Sequence, residues 1–550
     1  MWLRNRLVLP VILSSLAVLA GCGSGTSNPT PPPGGSFSNT NFNGVYTFSV
    51  LGSDPGKSGT GSQFAMAGSL TACGCPAGTI SGGTVDLADD TGVAAAAAIG
   101  NNSKYSISKD GRGFAQLMIT PTGNNQFEVD VDFVLTSSSH GLISRFDSGG
   151  TGSGTIDSQN LVGQATMANL PFAYSLSGAD PAGDPLAQVG AFTLDGSGNI
   201  LTSGANAGVA DTTIYSATLI GTPFPDSALS GSVVVGSGTA PGQATLTTTS
   251  PTFGTLKFDV YVVDSSHLKL IETDGVEILV GDVFTQPSAT IPAGNLVFNM
   301  VGPDPSGNPF AAAGVMASDG TSLITSGAED LNDNGTVDFG STKAQAFTGG
   351  FVATGGGRFA MTLTNFAGGT NFAAYPSSGG LLMLEIDPAQ AGSGVTGGVA
   401  LAQTTGAAIA ASQGYGMNLT GVDLFNGVGL DEIAEFKTTS SNMTGLIDAN
   451  DGGGLNTSNL NGTYSSGSNG LGSATFGNNS TPAGIFFYTV DNSTALVLST
   501  DSSAVESGLF EIQTTPTQSA LAAPRALPMI GALVRPHAAA ARAKVGFVRK

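Results

Sequence analysis

The chain has 550 residues, 40% of them apolar and only 10% charged, with 81 glycines, 27 prolines and three cysteines. Between Asn41 and Pro516, 39 acidic side chains face 10 basic ones; so negative a body excludes nucleic acid and acidic polymers as partners and suits cations or basic ligands. The apolar fraction is enough to bury cores, and a charged fraction below the usual value of about 25% leaves Ser, Thr, Asn and Gly to cover the surface.

Residues 1–21 carry the three parts of a secretory leader: Arg4 and Arg6, an apolar run from Leu7 to Leu19, and the small residues Ala20 and Gly21. The run is shorter than the roughly 20 residues that a bilayer span requires. Leu19-Ala20-Gly21-Cys22 resembles the lipobox of bacterial lipoprotein precursors. The resemblance implies that the Cys22 thiol receives a diacylglycerol, that residues 1–21 are removed, and that the membrane is a partner through the lipid. An ordinary cleaved leader with an incidental cysteine is the alternative. Several acyl chains, at about 0.8 kcal/mol per buried CH₂, make such anchoring permanent. In this family Asp after the cysteine favours inner-membrane retention; Gly23 therefore implies the outer membrane or cell surface. Residues 22–40, with Pro29 and Pro31-Pro32-Pro33, have no apolar periodicity and read as a disordered tether, on the order of 25 Å long as a coil.

Beyond the tether the chain repeats. A strand-like run ends in Gly-x-Asp at Gly52/Asp54, Gly178/Asp180, Gly302/Asp304 and Gly421/Asp423, with the glycines 126, 124 and 119 residues apart. A second apolar run ends at Asp147, Asp274, Asp387 and Asp501, spaced 127, 113 and 114. Between the markers the period is two, as in Phe127, Val129, Val131 and Phe133 against Glu128, Asp130 and Asp132. Turn clusters every 8–12 residues complete the pattern of a sandwich or barrel. The sequence therefore predicts an all-β tandem array of four antiparallel β domains at 41–158, 159–286, 287–403 and 404–516. Each is read as a closed meander barrel, with an immunoglobulin-like sandwich as the alternative, and the four as beads on a string. The Gly-x-Asp elements and Asp195-Gly196-Ser197-Gly198-Asn199-Ile200 resemble tandem repeats of secreted lipoproteins from environmental bacteria; that likeness implies architecture and location, not activity. Residues 517–550 contain six basic and no acidic side chains and read as a disordered basic tail.

Few residues offer chemistry. Cys73-Gly74-Cys75 reads as a local disulfide or redox pair, since two thiolates supply only half a zinc site. His140 and His267 occupy matching positions of the first two repeats, so separate domains should keep them apart, and no Ser-His-Asp grouping is expected. Asp130 and Asp132 lie roughly 7 Å apart by strand rise, a separation open to glycosidase chemistry. They sit on a stripe read as solvent-facing, and the only tryptophan is Trp2 in the leader. The best metal candidate is a weak one: Asp330, Asn332, Asn334 and Asp338 alternate like the start of a calcium loop, though the same residues make tight turns and position twelve is Ser341 rather than Glu. No cofactor beyond this calcium is expected. The function expected is a non-enzymatic, lipid-anchored cell-envelope protein that binds an unknown protein or glycan, or serves structurally. A barrel carrier of a small apolar ligand is second, and a secreted hydrolase third.

Overall fold

Alternating runs become strands because the pleat sends successive side chains to opposite faces. The computed structural model describes residues 37–54, 62–180, 182–215, 221–250, 254–340, 344–388, 394–477 and 482–514. Cys22, the lipobox, the leader and the basic tail lie outside the described residues. The described residues form 34 strands in four antiparallel sheets, with one short α-helix, Gln164–Met167.

The sheets run from Asn43 to Ser158, Pro171 to Thr285, Ala293 to Ala402 and Gly414 to Ile512. Each is a meander whose first strand pairs with its last: Tyr46 lies opposite Ser158, Tyr174 opposite Val283, Phe298 opposite Ala400 and Met417 opposite Phe510. The second and fourth are closed eight-stranded barrels. The third closes where Pro309–Asp319 pairs with Leu323–Asp333, and the first through a short contact of Ala98 and Ile99 with Thr120 and Ile119. Barrels, not immunoglobulin-like sandwiches, are therefore the architecture.

The two sequence markers have structural causes. The marker glycine sits where the first strand presses on the last: a Cβ at Gly178 would lie 1.8 Å from the Ile278 carbonyl oxygen, and one at Gly302 2.1 Å from that of Val395. Gly52 and Gly421 meet Thr151 and Val505 in the same way. The marker aspartate caps the following turn, as Asp304 Oδ1 does by accepting from the Ser306 and Asn308 amides at 2.7 Å. At the second marker, Asp387 accepts the Asn371 amide at 2.9 Å, and Asp274 the Lys257 amide at the same distance.

Each interior is filled from its own strands: Phe48 and Phe133 in the first, Phe172 and Phe258 in the second, Phe298 and Phe372 in the third, Phe436 and Phe510 in the fourth. At about 1.5–3 kcal/mol per fully buried side chain, these interiors are the main stabilising term. The first barrel begins before the expected boundary at residue 41, because Phe37 is buried in its core and Asn39–Asn41 forms a 3-10 turn.

The beads-on-a-string expectation fails. Each barrel touches the next, and the fourth returns to the first, through contacts such as Thr47–Val262, Thr213–Glu385, Asn299–Ser507 and Thr151–Asp431. The four barrels thus form a closed ring. A further apolar cluster draws on all of them, including Val134, Val189, Tyr375 and Ile433. Strands at these seams are covered on both faces, so the polar member of the alternation is buried as well. Asp132 and Asp259 are only 8% and 7% exposed. Asp132 therefore faces a neighbouring barrel rather than solvent, while Asp130 is half-buried and Glu128, at the other end of the same stripe, is exposed.

Candidate functional site

The polar groups that the strands bring together lie mainly in the seams. Tyr261, Tyr375 and Tyr488 stand opposite Lys269, Leu382 and Leu496, each of which is five residues before a second-marker aspartate. Each hydroxyl donates to an aspartate of the preceding barrel: Tyr261 to Asp86 at 2.5 Å, Tyr375 to Asp211 at 2.5 Å and Tyr488 to Asp330 at 2.8 Å. Arg358 adds a bidentate contact to Asp211 at 2.6 and 2.7 Å. The first barrel has Val134 at the tyrosine position, opposite Leu142. Its partner across the closing seam, Asp448, instead accepts from Thr457 at 2.5 Å and lies 3.9 Å from Arg112.

Two residues beyond the seam aspartate comes a staple. Asn332 Nδ2 donates to the carbonyls of Asp501 and Ala504 at 3.2 and 2.9 Å, and Asn450 Nδ2 to those of Arg145 and Gly150 at 2.9 and 2.8 Å. The calcium-loop candidates are thus dispersed. Asp330 and Asn332 are fully buried and bonded to the fourth barrel, with Asp330 Oδ1 accepting from Gly340 and Asn332 Oδ1 from Gly335. Asn334 takes φ 51° in the tight turn, and Asp338 is exposed. Among the described residues no three His, Cys, Asp or Glu side chains are grouped to hold a metal ion. Asn332→Ala should lower the unfolding free energy by about 1–3 kcal/mol, because the carbonyls it serves are left unpaired in the seam; urea denaturation of wild type and variant checks this.

The two histidines are not kept apart. They belong to one buried ionic chain crossing three barrels. His267 Nε2 lies 2.6 Å from Asp282 Oδ1, Lys269 Nζ 3.2 Å from Asp282 and 3.3 Å from Asp157, His140 Nδ1 2.6 Å from Asp157, and His140 Nε2 3.0 Å from Glu511. Thr155 also accepts from Lys269, at 2.6 Å. Against the cost of burial, Glu511 and then Asp157 push the His140 pKa up to about 10. Against the same cost, Lys269 and then His140 hold Asp157 well below the usual carboxylate range, and Lys269 holds Asp282 down likewise. The chain is balanced, three acids to three bases, and every member is at least nine-tenths buried. It orders the junction of the first, second and fourth barrels and presents no side chain to a substrate.

Asp130 and Asp132 do not form a cleft pair. Burial and then Asp448 raise Asp132 well above its ordinary value, while burial, Glu128 and Asp147 bring Asp130 to about 6. Cys73 and Cys75 are joined as a disulfide at the end of strand Ser62–Cys73.

Two clefts remain. One, of about 410 Å³, lies between the second and third barrels beside Phe192, Gln286 and Arg358. The other, of about 480 Å³, opens at one end of the fourth barrel beside Asp423, Phe425 and Asp451. Among the described residues no helix is long and apolar enough to cross a membrane. No family model matches the chain, and no curated protein matches its sequence.

Proposed function

We propose that the chain is a non-enzymatic cell-envelope lipoprotein, moored through an acylated Cys22, that displays a rigid ring of four barrels as a binding or structural body. The observation that carries this reading is the use made of the ionisable groups: His140, His267, Lys269 and their carboxylates are buried between barrels and paired with one another. Such groups hold domains together and are closed to substrate. The carrier reading has less support, because the barrel interiors are filled by their own aromatic and aliphatic side chains. The hydrolase reading has less still, since Asp132 is buried beside Asp448 of the fourth barrel.

The test is to express the whole precursor and its Cys22→Ala form in a lipoprotein-processing bacterium. The wild type should fractionate with membranes and the variant should not, and neither should turn over ester, glycoside or peptide substrates. Membrane retention of the variant would remove the anchor; turnover of any substrate class would remove the non-enzymatic reading.

A further inference from the structure

The open end of the fourth barrel differs from its three counterparts in one chemical respect. Its cleft, about 480 Å³, is lined by Asp423, Phe425, Leu430, Ala449, Asp451 and Ala504 among others. Glu432 follows Leu430 by two residues on strand Val428–Thr438 and stands directly opposite Ala449. Both relations place its side chain on the face that lines the cleft, one layer inward. Glu506 stands in the same relation to Ala504 on strand Ala504–Ile512. Glu432 is 0% exposed, and neither of its carboxylate oxygens has a hydrogen-bond partner among the described residues. Glu506 is equally buried and has the Ser499 hydroxyl beside it.

The repeats supply an internal comparison. The residue after Glu432, Ile433, faces the seam aspartate Asp448, as Ala67 faces Asp86, Val189 faces Asp211 and Ala313 faces Asp330. The counterparts of Glu432 are therefore Met66, Gln188 and Ala312. Two of these are apolar, and Gln188 is fully engaged, accepting from Tyr174 and donating to Thr212 at 2.9 Å each. A buried carboxyl without a partner is thus not demanded by the barrel. It is costly, because desolvation of a carboxylate amounts to several kcal/mol unless something compensates it.

We propose that this end of the fourth barrel binds a protonated amine carried on an apolar body. Glu432 and Glu506 would take the ammonium from within, with Asp423 and Asp451 at the rim, and Phe425, 90% exposed on its turn, would cover the apolar part. An organic cation fits better than a metal ion, since the described residues hold no metal-binding triad and the walls at Leu430, Ala449 and Ala504 are apolar. The inference goes beyond the anchor and the scaffold role, and holds whether or not Cys22 is acylated.

The empty site has a protonation state that gives the test a distinctive readout. Burial, and then Glu506, Asp501 and Asp431, raise the Glu432 pKa well above the carboxyl range. Burial, with Asp501, Asp431 and Asp423 adding to it and Ser499 opposing it, brings Glu506 to about 8. With Glu506 at about 8, the free pair holds a proton at pH 7, and an arriving ammonium must displace it. Affinity should rise with pH through the folded Glu506 value.

The experiment is calorimetric titration of the full chain with phenethylamine, in two buffers of different ionisation enthalpy, with 2-phenylethanol and calcium chloride as the other probes and a thermal-shift scan beside each. The expected result is saturable one-to-one binding of phenethylamine with proton release, and no binding of 2-phenylethanol. Glu432→Gln should weaken the amine by at least about tenfold while melting no lower than wild type, since a neutral amide of the same shape replaces a buried carboxyl that has no hydrogen-bond partner among the described residues. Phe425→Ala, an exposed change, should weaken it several-fold. Absence of binding and of thermal shift, equal binding of the alcohol, or unchanged affinity in a folded Glu432→Gln protein would overturn the proposal. So would calcium binding that Glu432→Gln abolishes, which would assign the site to a metal.

Discussion

Lys269→Leu should destabilise the ring by about 3–5 kcal/mol, the range for removing one partner of a buried ion pair and stranding the other. Lys269 Nζ is wholly buried and lies 3.2 Å from Asp282 and 3.3 Å from Asp157, so its loss leaves two carboxylates of adjacent barrels facing one another. The seat itself accepts an aliphatic side chain, because its counterparts in the other barrels are Leu142, Leu382 and Leu496. The cost is therefore electrostatic rather than steric. Adding Asp157→Asn and Asp282→Asn should recover much of it, for the two facing carboxylates are then gone while His140 keeps its Glu511 partner. Urea midpoints of wild type, single and triple variants measure both parts. A single variant as stable as wild type would mean the ionic chain does not hold the seam.

The melting temperature should be highest between about pH 4 and pH 6 and fall toward pH 8, the reverse of the usual acid sensitivity. Burial raises the folded pKa of Glu385 and Asp431 to about 7 and of Glu329 to about 8; burial, and then Asp110, raises Glu435 to about 9. A carboxyl whose folded pKa exceeds its unfolded one favours folding below the unfolded value near 4, and that contribution is lost as pH climbs to the folded value. His140 adds to the trend: its stabilisation is full below about 6.5, its ordinary value, and is lost as pH passes the folded value of about 10. Asp157 and Asp282 set the other limit. Their folded pKa values are lowered, so their stabilisation is present above about 4 and disappears in stronger acid. One pKa unit is worth about 1.4 kcal/mol, so even a fraction of these shifts over four buried carboxyls is several kcal/mol. A drop of at least about 5 °C from pH 5 to pH 8 is expected, given the size dependence of melting shifts. Calorimetric scans across that range decide it, and a maximum above pH 7 would contradict the assignment.

The individual barrels were legible in the sequence because both repeat markers are forced by local geometry. Gly178 and Gly302 stand where a strand crossing leaves no room for a Cβ, and Asp304 is fixed by the turn it caps. The ring was not legible, because alternation reports which face is apolar but not what covers the other face. Asp132, on the polar side of its strand, gave no sign that the fourth barrel covers it. A signal was nevertheless present: Asp86, Asp211, Asp330 and Asp448 recur at 125, 119 and 118 residues, and Tyr261, Tyr375 and Tyr488 at 114 and 113. A polar residue that returns with the domain period on the outward face of a strand indicates a contact repeated between domains. The seam role of the loop at Asp330 was hidden for the same reason, since its Asp and Asn side chains bond a neighbouring barrel that no single repeat contains. Glu432 was hidden among Asp431, Ile433 and Glu435, where the alternation is broken.

The account rests on closure of the ring, from the first barrel through to the fourth and back. Small-angle scattering from a chain spanning residues 37–514 tests it most directly. A closed ring of four contacting barrels should give a radius of gyration of about 25 Å, close to the compact-chain expectation, whereas an open row of separate barrels would exceed roughly 35 Å. The smaller value, with a single cooperative melting transition, is the predicted result; the larger would show that the seams joining Asp86 to Tyr261 and Asn450 to Gly150 do not persist in solution.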